Sequence, residues 1–318
     1  MMSKIMKKFI WIVIFIFCFS LLVFDCAYAK LHPKAGTTGA TFLKIGVGAR
    51  PIGMGDAFVA VANDANTIYW NPAGLSNISR PEITAMHNQW FEGINYEFLG
   101  YVHPTKKWGS FGIGLTLLHM DRIGRTREDE QGLYAGEEGT FEVSNRSFIL
   151  AYANKITDDI SGGFSFKIIH QINADVKSQG LAFDLGCLYR TFVNNLIAGF
   201  NIQNIGCPVK MGEETFHLPM NIRIGFSYKP IQSLTIATDL KQPLDNYLNI
   251  SLGGEYTFKD IFALRIGYKY ELDDNDLGSL SGIRAGCGFK WRSFQVDYAV
   301  APYGNLGNTH RISLLVRL

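Results

Sequence analysis

From Arg80 to the end of the chain, apolar and polar residues alternate with a period of two. Met220, Ile222, Ile224, Phe226 and Tyr228 alternate with Asn221, Arg223, Gly225, Ser227 and Lys229. Leu248, Ile250, Leu252, Gly254, Tyr256 and Phe258 alternate in the same way with Asn249, Ser251, Gly253, Glu255 and Thr257. A third set, Phe262, Leu264, Ile266, Tyr268 and Tyr270, faces Ala263, Arg265, Gly267, Lys269 and Glu271. This is the pattern of a β-strand with two unlike faces. Such segments run about ten residues, whereas strands of soluble sheets hold about five or six, and about ten residues is what a tilted strand needs to cross a bilayer. The pattern predicts about fourteen strands, near 82–90, 94–103, 108–119, 142–153, 161–172, 180–190, 195–204, 218–229, 233–241, 247–258, 261–271, 280–290, 293–300 and 309–318.

The connections sort by length. Short turns (Pro104 to Lys107, Asn154 to Asp159, Thr191 to Asn194, Pro230 to Gln232, Lys259-Asp260 and Trp291-Arg292) alternate with mostly longer ones, notably Met120 to Phe141, Ile205 to His217, Leu272 to Ser279 and Ala301 to Asn308. Short turns on one side and long loops on the other are what an outer-membrane barrel has. The expected fold is all-β, a 14-stranded antiparallel transmembrane β-barrel over residues 81–318. Trp108, Tyr189, Tyr228, Phe258, Phe289, Trp291 and Phe294 are then expected to form an aromatic girdle at the short-turn rim. Inward charges, among them Asp184, Arg190, Arg223, Asp239, Glu255, Arg265, Lys269 and Asp297, are of both signs, so they are expected to pair with one another and with whatever fills the lumen.

Residues 30–80 have a different texture. Gly39 to Leu75 is rich in glycine and alanine and lacks strand alternation over most of its length. A short helix over Asp56 to Asn63, capped by Asp56, and a turn at Asn71-Pro72 are expected within it. This stretch is read as an N-terminal hatch, or plug, ahead of the barrel.

The chain begins with Lys4, Lys7 and Lys8, an apolar block from Phe9 to Phe24, and Ala27-Tyr28-Ala29. These are the parts of a signal peptide, expected over residues 1–29 and cleaved after Ala29; export together with a strand-built barrel makes the bacterial outer membrane the expected location. No later apolar run is long enough to cross a bilayer as a helix, so a membrane location requires strands. Formal charge is +2, and the leader, with its three lysines and Asp25, accounts for that excess. A near-neutral chain gives no electrostatic case for nucleic acid. Cys187, Cys207 and Cys287 are an odd number without metal-ligand spacing, so they point to neither a disulfide framework nor a zinc site. Nucleotide loops, hydrolase elbows and calcium loops are absent with their full spacing; Asp273-Asp274-Asn275-Asp276 lacks the glycine and terminal glutamate of an EF-hand. Neither enzyme activity nor a cofactor is expected.

The stretch Arg50, Gly53-Met54-Gly55-Asp56-Ala57-Phe58, Ala60, Asp64 and Tyr69-Trp70-Asn71-Pro72-Ala73-Gly74-Leu75 resembles the N-terminal signature of PorV/PorQ-family outer-membrane proteins, which belong to the FadL-like superfamily of long-chain fatty acid and toluene transporters. The resemblance implies a fourteen-stranded barrel occluded by an N-terminal hatch, with Arg50, Gly53, Met54, Gly55, Asp56, Asp64, Asn71, Pro72, Ala73 and Gly74 as hatch residues. It further implies assistance to protein secretion of type IX kind, with secretion-system or surface proteins as partners. The superfamily implies an alternative, passive transport of a hydrophobic small-molecule ligand through the wall and across the outer membrane, with outer-membrane lipid around the barrel. For that route Gly109, Gly112 and Gly114 on the third strand mark a candidate lateral opening, or else close packing of hatch against wall.

Overall fold

The computed structural model describes residues 32–272 and 281–318. The leader with its cleavage site, and the acidic run 273–276, lie outside the described residues. No helix among those residues is long and apolar enough to cross a membrane.

The strands are β1 (Glu82–Gln89), β2 (Asn95–Pro104), β3 (Ser110–His119), β4 (Ile123–Glu128), β5 (Tyr134–Phe141), β6 (Val143–Lys155), β7 (Ile160–Asn173), β8 (Val176–Arg190) and β9 (Leu196–Gly206). They continue with β10 (Val209–Met211), β11 (Glu214–Phe216), β12 (Asn221–Ile231), β13 (Leu234–Pro243), β14 (Asn249–Phe258), β15 (Phe262–Glu271), β16 (Ile283–Trp291), β17 (Phe294–Pro302) and β18 (Asn308–Arg317). Fourteen of these close into one antiparallel barrel in the order β1-β18-β17-β16-β15-β14-β13-β12-β9-β8-β7-β6-β3-β2. β1 seals the wall by pairing with β18, from Glu82 opposite Arg317 to Gln89 opposite His310. Each barrel strand falls within a few residues of a segment predicted from alternation. The remaining strands form two hairpins, β4 with β5 and β10 with β11, within the loops expected at 120–141 and 205–217.

The faces are inverted relative to a soluble sheet. Leu264 and Ile266 are 66% and 68% exposed, while Arg265 between them is 5% exposed. The same holds on β12, where Ile224 and Phe226 are exposed and Arg223 and Ser227 are buried. A continuous apolar exterior around a polar interior suits lipid outside the wall, not water. Trp108, Tyr189, Phe258, Phe289, Trp291 and Phe294 are exposed at the short-turn end, where the girdle is expected. The loops differ from expectation at one place: Ala174 and Asp175 alone join β7 to β8 at the long-loop end, with Ala174 left-handed at φ 53°.

Residues 38–78 touch inward-facing residues on many strands of this closed wall. The segment enters beside the β10–β11 hairpin, where Thr38 bridges to His217 and Gly39 N–H donates to His217 O at 2.9 Å. It contains two single-turn helices, α1 (Ala49–Gly53) and α2 (Thr67–Trp70), and two 3-10 turns, over Thr41–Lys44 and Pro72–Asn77. The helix expected over Asp56 to Asn63 does not form. Asp56 sits at φ 69°, which excludes it as an ordinary cap, and the free N–H groups of Phe58 and Val59 donate instead to Asp239 Oδ2 on β13, at 2.8 and 2.9 Å.

Candidate functional site

The segment is held to the wall by polar side chains at its bends. Arg50, buried on α1, donates from Nε and Nη2 to the two carboxylate oxygens of Glu255 on β14, at 2.8 and 2.7 Å. Its Nη1 donates to Asp64 Oδ2 and Asn63 Oδ1, both at 2.7 Å. Glu255 also accepts from Arg265 Nε at 2.7 Å, and Arg265 Nη1 reaches Asp297 Oδ1 at 2.8 Å. A chain of alternating charge thus runs from the segment across β14 and β15 to β17. Bidentate geometry makes its first link both strong and directional. Burial alone would lower the Arg50 pKa, but Glu255 and Asp64 more than offset it, so the guanidinium stays charged.

The Asn71-Pro72-Ala73-Gly74 turn is the second anchor. Asn71 Oδ1 accepts from Ala73 N at 3.2 Å, capping the 3-10 turn that Pro72 opens, and Asn71 Nδ2 donates to Val59 O at 2.9 Å and Cys187 O of β8 at 3.2 Å. A Cβ on Gly163 or Gly186 of the wall would collide with Pro72, Ala73 or Asn71, so the wall is glycine where this turn touches it. Gly74 is constrained likewise, against Ala62 and Thr67. On the opposite side, Met54 and Gly55 press on Gly253 and Gly267, and Gly53 lies against Gly286.

Asp56 pairs with Lys269 Nζ at 3.3 Å. Burial would raise its pKa, but Lys269, Arg284, Arg223 and Arg311 prevail and hold it below the usual carboxylate range. Asp64 receives Arg50 on one oxygen and Asn66 on the other. All ten segment residues singled out from the sequence therefore lie at contacts within the segment or with the wall.

Gly112 and Gly114 face Ile68 and Leu75 of the segment, and a Cβ at Gly114 would lie 2.9 Å from Ile68. Gly109, at φ 77°, sits in the turn before β3. The ladder is unbroken on both sides of β3, to β2 and to β6. The register of the wall breaks elsewhere. Between β8 and β9 it steps from Phe183 opposite Ile205 to Leu185 opposite Ile202, with Asn204 left-handed at φ 60°. Asp184 fills the step: its Oδ1 accepts from Asn204 N at 2.8 Å, and its Oδ2 accepts from Lys167 Nζ at 2.7 Å and Ser165 Oγ at 3.0 Å. Such a bulge bends the strand and removes ladder bonds. Two further anchors stand beside it and escaped the sequence reading, Asn201 Nδ2 to Trp70 O at 2.6 Å and Gln203 Nε2 to Tyr69 O at 2.5 Å. Their alternation with Phe200 and Ile202 was the available signal.

The model of UPF0164, described as an uncharacterised protein family, matches residues 27–251. The chain belongs to the UPF0164 family. Two UPF0164 proteins of Treponema pallidum (strain Nichols) are similar to it. One is 24% identical over 210 residues, covering 60% of this UPF0164 chain and 48% of the relative. The other is 37% identical over 175 residues, covering 52% and 44%. The chain thus spans about half the length of the curated relatives it matches. Among solved structures, the Ralstonia pickettii toluene transporter TbuX superposes with a TM-score of 0.62 at 13% identity, over 86% of this chain and 98% of that one. The Pseudomonas putida toluene transporter TodX gives 0.59 at 13% identity, over 85% and 97%. A FadL homologue of Pseudomonas aeruginosa gives 0.57 at 10% identity, over 85% and 98%. At these identities the likeness is one of fold, and it extends over nearly the whole of each transporter. The resemblance to PorV/PorQ proteins stays confined to the stretch from Arg50 to Leu75.

Proposed function

We propose that this chain is a non-enzymatic outer-membrane barrel of FadL type that passes small hydrophobic molecules across the membrane, with residues 38–78 acting as its hatch. One observation supports this: the closed, apolar-skinned barrel of fourteen strands, similar in fold to the toluene transporters TbuX and TodX. An occupied lumen disfavours free diffusion from end to end, so an apolar solute is better served by leaving through the wall into lipid. The β8–β9 step is the place for such an exit, because the ladder is already interrupted there beside the anchored backbone of Tyr69 and Trp70.

The test is uptake of radiolabelled toluene by vesicles containing the full chain. Saturable uptake is expected in the wild type. It should be blocked when Leu185→Cys and Ile202→Cys, register partners across the step, are oxidised to a disulfide in a background with Cys187, Cys207 and Cys287 changed to serine, and it should return on reduction. Wild-type uptake no faster than that of protein-free vesicles would remove the transport role.

A role in protein secretion has the Arg50 to Leu75 signature behind it and draws nothing specific from the barrel. Co-purification of large surface or secretion proteins with the tagged chain from detergent-solubilised outer membranes would move the assignment there.

A further inference from the structure

A cavity of about 190 Å³ opens at the long-loop end of the barrel, lined by charged and amide side chains together with Pro219 and Pro243. Lys44 of the segment, Lys241 of β13, Asp245 and Asn246 of the following loop, and Lys269 and Glu271 of β15 line it. Two of its three lysines are committed. Lys44 pairs with Asp245, which also accepts from Thr38 Oγ1 at 2.6 Å. Lys269 is shared between Glu271 at 2.6 Å and Asp56 at 3.3 Å. Lys241 has neither an ion-pair nor a hydrogen-bond partner among the described residues. Among the lining residues, three lysines therefore stand against two carboxylates, Asp245 and Glu271.

We infer that this cavity is a binding site for a small organic carboxylate, with the Lys241 ammonium as its counter-charge and the Asn246 amide as a neighbouring hydrogen-bond donor. A half-buried ammonium has lost part of its hydration, and an anion that enters regains that loss in a charge-assisted bond; an apolar solute does not. Volume selects among anions. A space of about 190 Å³ has room for a small dicarboxylic or hydroxy acid, which reaches Lys241 and Asn246 at once, and inorganic phosphate fills less of it. The site does not depend on the hydrophobic transport proposed above, since the cargo there carries no charge.

Calorimetric titration of the detergent-purified full chain with succinate and with inorganic phosphate tests this. Succinate is expected to bind saturably and more tightly than phosphate. Lys241→Met should weaken succinate binding about tenfold or more, and Lys241→Arg should keep most of it. Heat-modifiable electrophoretic mobility checks that each variant retains a folded barrel. Should Lys241→Met not fold, Asn246→Ala, a loop change, should still weaken binding severalfold. Absence of saturable binding of succinate to the wild type, phosphate binding as tight as succinate, or unchanged binding by a folded Lys241→Met protein would overturn the site.

Discussion

Arg50 spends four guanidinium hydrogen bonds on three side chains, and its fate decides whether α1 stays where it is. Removing one partner of a buried charged pair costs about 3–5 kcal/mol because the other charge is left without compensation. Arg50→Ala is therefore expected to lower the resistance of the segment to protease, whereas Glu255→Ala leaves both Arg50 and Arg265 short of a partner and should cost more. Arg50→Lys loses the fork and should fall between wild type and alanine. Limited proteolysis of the three purified variants ranks them, and a Glu255→Ala protein as resistant as wild type would contradict the ranking. At the segment's entry, Asp245 binds Thr38 and Lys44. Burial would raise its pKa, but the bonds from Lys44 and Thr38 prevail and lower it. A carboxylate depressed in the folded state contributes stability that is full above its ordinary pKa of about 3.8 and is lost as pH falls through the depressed value. The entry should accordingly loosen only in acid, below the usual carboxylate range, and Asp245→Asn should remove that acid step in a pH series of protease protection. Arg50 and Asp64 stood out in the sequence as charges within a glycine-rich run. Glu255, the partner of Arg50 some two hundred residues away in sequence, stood out only as one inward charge among several, because alternation reports which way a side chain points and not what it meets.

Elements were legible where the period was two. Every barrel strand was predictable because a wall between lipid and a polar interior forces alternation on each residue, and the closed order β1-β18 followed from an even count. The β4–β5 and β10–β11 hairpins were read as loops, since both their faces meet a polar surround over most of their length and no apolar stripe marks them. The segment was legible as foreign to the pattern but not in its internal shape: Asp56 before an alanine-rich run reads as a helix start, while Asp239 on the wall takes the N–H groups a helix would have used. Contact between segment and wall depends on glycine. A Cβ at Gly267 would fall on the backbone of Met54 and Gly55, and one at Gly163 on Pro72 and Ala73. Since backbone on both sides leaves nowhere to move, Gly267→Val and Gly163→Val should each displace the segment locally while the ladder, whose bonds lie in the plane of the wall, still closes. The expected signature is a barrel of normal heat-modifiable mobility whose segment is cut early by protease. Normal protection in both variants would mean that the wall yields instead.

At the scale of the molecule, the closed wall and the proposed hatch make one electrical prediction. A barrel of fourteen strands has an interior wide enough for an aqueous channel when nothing fills it. Here Trp70, Phe58, Met54 and Leu75 are buried at its centre, and Asn201, Gln203, Asp239 and Glu255 bind the segment from separate parts of the wall. Full-length protein in a planar bilayer should therefore show no steady porin-like conductance. Weakening one anchor should produce brief openings, because the remaining anchors return the segment to its place. Glu255→Ala combined with Asp239→Ala should lengthen those openings, since α1 and the Phe58–Val59 bend are then both free, and their effects should exceed the sum of the single changes where the two sites hold one rigid stretch of chain. If the wild type conducts steadily, residues 38–78 do not seal the lumen and the hatch is wrong. If the double variant stays silent, the apolar contacts of Trp70, Ile68 and Leu75 hold the segment without help from the charges, and the polar anchors set its position rather than its retention.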